Sequence, residues 1–483
     1  MSLAGLGFAL FLPCVLLVYW LLPRRAGWQN AWLLLASYAF YASWSTQLLP
    51  LLWLSTLVDY GLGYGLMRTE AKSSRQGLLM VSLVVNIGIL ATFKYAGFFA
   101  NALNDLFMLM GFSSALPVLQ LALPLGISYL TLLKIGYVID VYYGRIEAER
   151  SLLNFALFVC FFPHLIAGPI VRAQEMLPQY AQARTLSPAH IQNGAWLLFL
   201  GFFMKAYVAE ILGHFYANPV FNHPELYSAL GHWIGLLGYA GQLFCDFAGY
   251  SLIAMGVGWL VGLRLPENFN YPFLSTSMMA FWRRWHMTLN NWLFDYLYGP
   301  MTMSRGWMRG RLGLGFLIVF VISGLWHGPL WTFVLWGFLH GMALVTEYRW
   351  DLFYKGLCRK DRTYVARRQS RSYQMTAWFI TQLFFLLTLI PFRATSLSHA
   401  WQYAKGLFGA TGGQIPNLFS FNLAVCVSFF VLYHVLELAP GQPWRAKFLA
   451  LSPPVRGVVY GLVIVFLLLF MPVGRGTFIY ANF

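Results

Sequence analysis

An all-α, polytopic membrane protein is predicted by three observations. Hydrophobic residues fill 59% of 483 positions and charged residues 10%, and mean hydropathy is +0.62, beyond the range of soluble domains. Apolar runs recur from one end of the chain to the other, many of them close to the 20 or so helical residues that a hydrocarbon core of about 30 Å requires. The Lys and Arg behind the net charge of +16 sit in the breaks between those runs, which fits positive-inside topology in a lipid bilayer. No separate basic domain stands apart, so nucleic acid is excluded as a partner. Counted along the chain, the pattern gives about 11–13 transmembrane helices plus re-entrant or interfacial helices.

The first run, residues 4–22, has no positive region before it and no small-residue cleavage site after it; Arg24 and Arg25 follow instead. That is the pattern of a retained first helix with its N-terminus outside. Runs at 30–44 and 47–67 lead to the basic loop Arg68 to Arg75, which falls on the same side as Arg24 two crossings later. Residues 77–100 then leave, with Lys94 placed to snorkel, and residues 121–143 return to a second basic stretch, Arg145 to Arg150. Residues 151–170 contain Phe161-Phe-Pro-His164 and Gly168-Pro169, breakers that predict a re-entrant segment in which His164 shapes a turn. Runs at 194–214 and 226–262 follow, the second interrupted at Cys245 to Ser251. Asp246 within it needs a partner, and divides between bonding a broken helix end and orienting a histidine.

Residues 280–298 carry Arg283, Arg284, His286, Asn290, Asn291 and Asp295 and cannot cross lipid in the ordinary way. Phe281, Trp285, Leu289 and Trp292 recur at helical spacing, and Trp282, His286 and Asn290 make a second i, i+4 row. This predicts an amphipathic helix lying in the interface or dipping inward. A helix from Leu312 to Trp326 follows Arg309 and Arg311. At about 22 Å it stops short of the far side, so the hinge at His327-Gly-Pro329 lies within membrane depth. The next run, Leu330 to Val345, is equally short and returns to Glu347 and Arg349; His340 on it reads as packed. After a basic linker at 359–371, helices at 374–391, 421–438 and 457–472 close the chain with its C-terminus outside.

Backbone broken at Gly328-Pro329 must be covered by protein or face a wet cavity, because lipid satisfies no N–H or C=O. A histidine there can take a proton from a hydroxyl as an acyl group arrives, since imidazole titrates near neutrality. His327 is accordingly the leading catalytic candidate and His286 the second. The five cysteines are scattered and read as buried thiols, and the remaining histidines lack metal-ligand spacing, so no metal site is expected. There is no G-x-S-x-G, H-E-x-x-H or Walker loop, which argues against hydrolase, zincin and ATPase functions. Two classes remain on the residues alone: an intramembrane acyl or group transferase using His327, and a proton-coupled transporter relaying protons through Asp246 and His327.

Several motifs in fixed order resemble the membrane-bound O-acyltransferases, specifically the bacterial branch that acetylates alginate. They are Leu123-Pro-Leu-Gly-Ile-Ser-Tyr129, Ile139-Asp-Val-Tyr142, Phe162-Pro-His-Leu-Ile-Ala-Gly-Pro-Ile170, Asp246-Phe-Ala-Gly-Tyr-Ser251, Glu267-Asn-Phe-Asn270, Phe281-Trp-Arg-Arg-Trp-His286 and Gly324-Leu-Trp-His-Gly328. The resemblance implies one integral-membrane domain over residues 1–483, with residues 279–345 as its catalytic core and a central tunnel. It implies His327 as signature histidine and His286 as its second. Arg283, Arg284, Trp282, Asn290, Trp326 and Asp246 are the substrate-binding candidates read from the residues themselves, and the resemblance assigns the two arginines no role. It further implies no bound cofactor, acetyl-CoA or another acyl thioester as donor, and an exported acyltransferase partner that places the acyl group on a polysaccharide outside the inner membrane. D-alanyl transfer to a cell-envelope polymer is the alternative within the family. The branch usually carries a second carboxylate in D-F-S-G-Y-S-D; Ala248 and Leu252 stand here instead, and the tail from 393 to 483 matches loosely.

Overall fold

The computed structural model describes residues 6–112, 116, 121, 123–165, 168–303, 306–409, 412–438 and 444–470. It is 78% helical, with no strand among the described residues. The chain forms two compact units: Met1–Leu198 with Ser251–Pro266, and Phe199–Tyr250 with Glu267–Phe483.

In the first unit the helices Leu6–Leu21, Ala26–Ala42 and Leu49–Arg68 form where the first three apolar runs predict them. The fourth is longer than its run: Lys72–Leu109 is continuous over 38 residues, with a π turn at Ala91–Tyr95. Lys94 sits in that turn and does not snorkel. It is 8% exposed, and its Nζ donates to Ser128 Oγ at 3.1 Å. Three helices are tied by Asp59, whose carboxylate accepts from Ser82 Oγ at 2.6 Å and from Asn86 Nδ2 and faces Lys134 Nζ at 3.6 Å. The run at 121–143 turns helical only at Ile127, because Gly126 is left-handed (φ 68) and a side chain there would collide with the Leu165 carbonyl. Next come a nine-residue helix, Leu152–Cys160, and a buried turn through His164. Nine residues reach about 14 Å, so the segment is too short to span.

Around the second unit the apolar runs again become helices, with two corrections. Ala229–Leu260 is one unbroken 32-residue helix, not a run interrupted at Cys245 to Ser251. Asp246 is paired sideways with Lys205, so no main-chain bond is given up to satisfy it. Trp331–Lys360 is likewise 30 residues long, about 45 Å, and not a short helix ending at Val345. Glu347 and Arg349 end the apolar run, but nothing there breaks the helix. Leu312–His327 matches its expectation, and Arg371–Arg393, Phe421–Leu438 and Pro453–Phe470 occupy the last three runs.

Among the described residues five helices are long and apolar enough to cross a membrane: Lys72–Leu109, Pro188–Asn222, Ala229–Leu260, Arg371–Arg393 and Pro453–Phe470. The chain is an all-α polytopic membrane protein. Expectations about its termini fall on residues 1–5 and 471–483, outside the described residues. Cys160, Cys245 and Cys426 are buried as expected, whereas Cys14 is exposed.

Candidate active site

The amphipathic helix expected over 280–298 is broken in the middle. Ser277 caps a short helix, Met278–Trp282, by accepting from Ala280 N; a second, Met287–Leu293, starts after His286. His286 itself is left-handed, φ 46 and ψ 50, a conformation costing about 1–2 kcal/mol outside glycine. Trp282, His286 and Asn290 therefore do not share one helix face. Asn290 instead braces the break, its Nδ2 donating to the carbonyls of Trp282 (2.7 Å) and Trp285 (2.6 Å).

What holds His286 in this conformation is the segment Glu267 to Asn270. Met287 N donates to Asn268 O and Asn270 N to Arg284 O, both at 2.9 Å. Asn268 Oδ1 accepts from Thr288 N at 3.3 Å and Thr288 Oγ1 at 2.9 Å, and lies 3.1 Å from His286 Nδ1. An oxygen that accepts from a main-chain amide can only accept from the imidazole too. Nδ1 therefore carries the proton and Nε2 the lone pair. Burial pushes the His286 pKa down to about 3, so the ring is neutral.

His327 ends the Leu312–His327 helix, and Gly328 leaves it in extended conformation. Its position depends on close packing with Trp331–Lys360. A side chain at Gly324 would run into the Phe333 carbonyl, one at Gly337 into the Phe320 carbonyl, and one at Gly341 would lie 2.8 Å from Leu317 Cα. Small residues at such a contact let two membrane helices touch backbone to backbone. His327 is 4% exposed in a cage of rings: Trp326 at 5.0 Å, Trp336 at 5.1 Å and Phe392 at 5.2 Å between centroids.

Trp326 also lies 6.1 Å from the His286 ring, so one indole stands between the two candidate histidines. Phe247 meets His286 edge-on at 4.6 Å. Trp282 packs against Trp336 at 5.7 Å and His340 at 5.1 Å. Thr388 Oγ1, already donating to Phe385 O, accepts from His340 Nε2 at 3.0 Å, which gives this histidine a packing role.

The remaining expected residues lie around this cluster. Arg283 is exposed and Arg284 half-buried, the latter donating from its guanidinium to Asn270 O at 3.3 Å. Asp246 is no helix-end bond: it pairs with Lys205, which also faces Glu210 at 3.5 Å. Gly249 permits that pair, since a Cβ there would sit 2.8 Å from Gly201 O and 2.9 Å from Lys205 N. Sequence reasoning missed Asn268, Lys205 and Trp336. A lone lysine in the 194–214 run was a readable signal, because a charge in such a run needs a partner; for Asn268 the motif Glu267-Asn-Phe-Asn270 was the only pointer.

Chemically the cluster offers a neutral imidazole of fixed tautomer and a second imidazole at a helix end, both shielded from bulk water. Comparisons with known proteins agree on its class. Residues 143–390 match the MBOAT, membrane-bound O-acyltransferase family, and both histidines fall inside the match. The chain is 36% identical over 416 residues to the probable alginate O-acetylase AlgI of Azotobacter vinelandii, covering 85% of this chain and 78% of that protein. It is 34% identical over 437 residues to the peptidoglycan O-acetyltransferase of Helicobacter pylori, covering 84% and 80%. The teichoic acid D-alanyltransferase of Bacillus subtilis is 32% identical over 247 residues, covering 48% and 62%. These matches leave the transporter reading without support: the chain belongs to the membrane-bound O-acyltransferase family and is an O-acyltransferase of the membrane.

Proposed function

We propose that this O-acyltransferase takes an acetyl group from a cytoplasmic thioester, acetyl-CoA in the first instance, and passes it across the bacterial inner membrane for O-acetylation of an exported polysaccharide. The observation that carries the reading is the convergence of His286 and His327 on Trp326 in one buried cluster, within a chain matched over 85% of its length by a probable alginate O-acetylase. His327 acts as general base. It takes the proton of the attacking hydroxyl as oxygen bonds to the thioester carbonyl carbon, and returns it to the thiolate when the C–S bond breaks. His286, with its lone pair on Nε2, positions acceptor or donor. Trp282, Trp326 and Asn290 shape and brace the histidine cluster, and Asp246 holds the neighbouring helix through Lys205. Exposed Arg283 and half-buried Arg284 suit the phosphates of the donor. An exported acyltransferase partner completes the transfer to the polymer, and both termini of this chain face the periplasm.

The test is acetyl ester content of the secreted polysaccharide in cells carrying the normal protein or His327→Ala at equal membrane abundance. Loss of esters is the expected result; unchanged esters return His327 to a structural role. D-alanyl transfer is the second reading, supported by the shorter match to a teichoic acid D-alanyltransferase. It predicts release of D-alanine, not acetate, on mild base treatment of the envelope polymer.

A further inference from the structure

Phe273 and Phe385 pack against Trp285, in the segment that carries His286, at 6.2 and 5.3 Å. On their far side lies a cavity of about 650 Å³, within the range of about 300–1,000 Å³ usual for ligand sites. Its floor is buried: Leu212, Ala240, Phe385 and Cys426. Its mouth is not, with Leu237, Phe379, Val427 and Val431 between 50% and 58% exposed. Two of its walls belong to Ala229–Leu260 and Arg371–Arg393, both long and apolar enough to cross a membrane, so the mouth opens towards hydrocarbon.

We infer that this cavity is a site for the hydrocarbon tail of a membrane glycerophospholipid. Three polar side chains in its wall have a donor engaged within the protein. Gln382 Nε2 donates to Ser275 O at 2.9 Å, Trp378 Nε1 to Phe273 O at 2.7 Å and Tyr216 Oη to Asn417 O at 2.8 Å. Beyond these and the Trp233 indole the lining is apolar, and a hydrocarbon tail needs no polar partner. The obvious competitor, a transmembrane helix from a partner protein, would lay only one face on so open a groove and would be read as a cross-linked polypeptide. Preference for the site over bulk lipid comes from packing against fixed aromatic walls, since tails gain nothing by leaving one hydrocarbon phase for another.

The purified protein is reconstituted with a phosphatidylethanolamine bearing a diazirine in its tail, irradiated, and mapped by peptide mass spectrometry. Saturable labelling on peptides containing Leu237 to Ala240, Trp378 to Leu386 and Cys426 to Val431 is expected. Val427→Trp and Val431→Trp, which fill the mouth, each reduce it at least fivefold; Val435→Trp, equally exposed on the same helix but outside the cavity, leaves it unchanged. Two exposed positions are used so that one misfolded variant does not remove the test. Labelling that rises linearly with lipid fraction, or persists in both mouth variants, overturns the assignment. So does a cross-linked polypeptide at these peptides without a lipid adduct.

Discussion

Asn268→Leu removes the oxygen on which the His286 conformation depends while nearly conserving volume. Asn268 is 1% exposed, so no water replaces the lost acceptor. Thr288 Oγ1 can turn to another carbonyl, but His286 Nδ1–H and Thr288 N–H are left as buried donors, each costing about 1–3 kcal/mol. Collapse of the clamp would relieve the left-handed His286, offsetting about 1–2 kcal/mol, for a net loss spanning roughly 0–5 kcal/mol and centred on about 2–3. At 1.4 kcal/mol per tenfold, thioester turnover in proteoliposomes should fall by about 30- to 150-fold at that centre, with the loss mainly in kcat because the lone pair on Nε2 is no longer secured. Asn268→Asp keeps an acceptor and should retain most activity near neutrality. Its carboxylate favours the imidazolium, so an acid limb should enter the pH profile. If Asn268→Leu stays within threefold of normal at every pH while His286→Ala is inactive, the fixed tautomer is not what His286 contributes.

Four further outcomes follow from the same geometry. Lys205→Met removes the ammonium that faces Asp246 and should cost about 3–5 kcal/mol, read as lost membrane abundance and lower Tm; Lys205→Met with Asp246→Leu should recover most of it. Gly324→Ala forces the two packed helices apart at the Phe333 carbonyl, for about 1–3 kcal/mol and a lower kcat, whereas Gly356→Ala, with nothing within 4 Å, should be neutral or slightly stabilising. Thr388→Val orphans His340 Nε2–H and should lower Tm by the equivalent of about 1–3 kcal/mol with kcat unchanged at equal abundance; a tenfold loss of kcat would bring His340 into the chemistry. Because the folded pKa of His286 lies below its unfolded value of about 6.5, the unfolded chain binds the extra proton as pH falls from there towards about 3. Stability is full above that window and declines within it by at most about 1.4 kcal/mol per pH unit, and His286→Asn should flatten the slope of Tm against pH.

Helix positions were legible because the signal for them, a run of apolar residues between basic breaks, is long and redundant. Where the reading failed, it took the end of an apolar run for the end of a helix. Glu347 and Arg349 stop the Leu330 to Val345 run but not the helix, which reaches Lys360. Asp246 interrupts its run in composition and leaves the backbone untouched, because Lys205 answers it from another helix. Lys94 looks in sequence like a snorkelling residue, because Ser128, the hydroxyl that accepts from it, lies 34 residues on and leaves no periodic trace. Hydropathy reports what a side chain prefers around it; continuity of a helix depends on whether its polar groups find partners, and those partners are distant in the chain.

The candidate site shows the same limit more sharply. His327 could be named from the break that follows it, because Gly-Pro after an apolar run has one structural consequence. The i, i+4 spacing puts His286 on a helical row with Trp282 and Asn290, and it misleads, since the residue sits in a left-handed conformation that ends the helix there. The information that fixes it lies eighteen residues earlier in Asn268 and in two main-chain bonds, none of which has a period. For His327 the fixing contacts are carbonyls of Phe333 and Phe320 against Gly324 and Gly337, visible in sequence only as glycines. Both histidines are thus held by close backbone approaches, joined at His286 by the Asn268 side chain, and not by the apolar pattern that builds the surrounding helices. Variants that preserve hydropathy but alter Asn268, Gly324 or Gly337 should therefore damage turnover more than variants that change the lipid-facing apolar residues of the same helices.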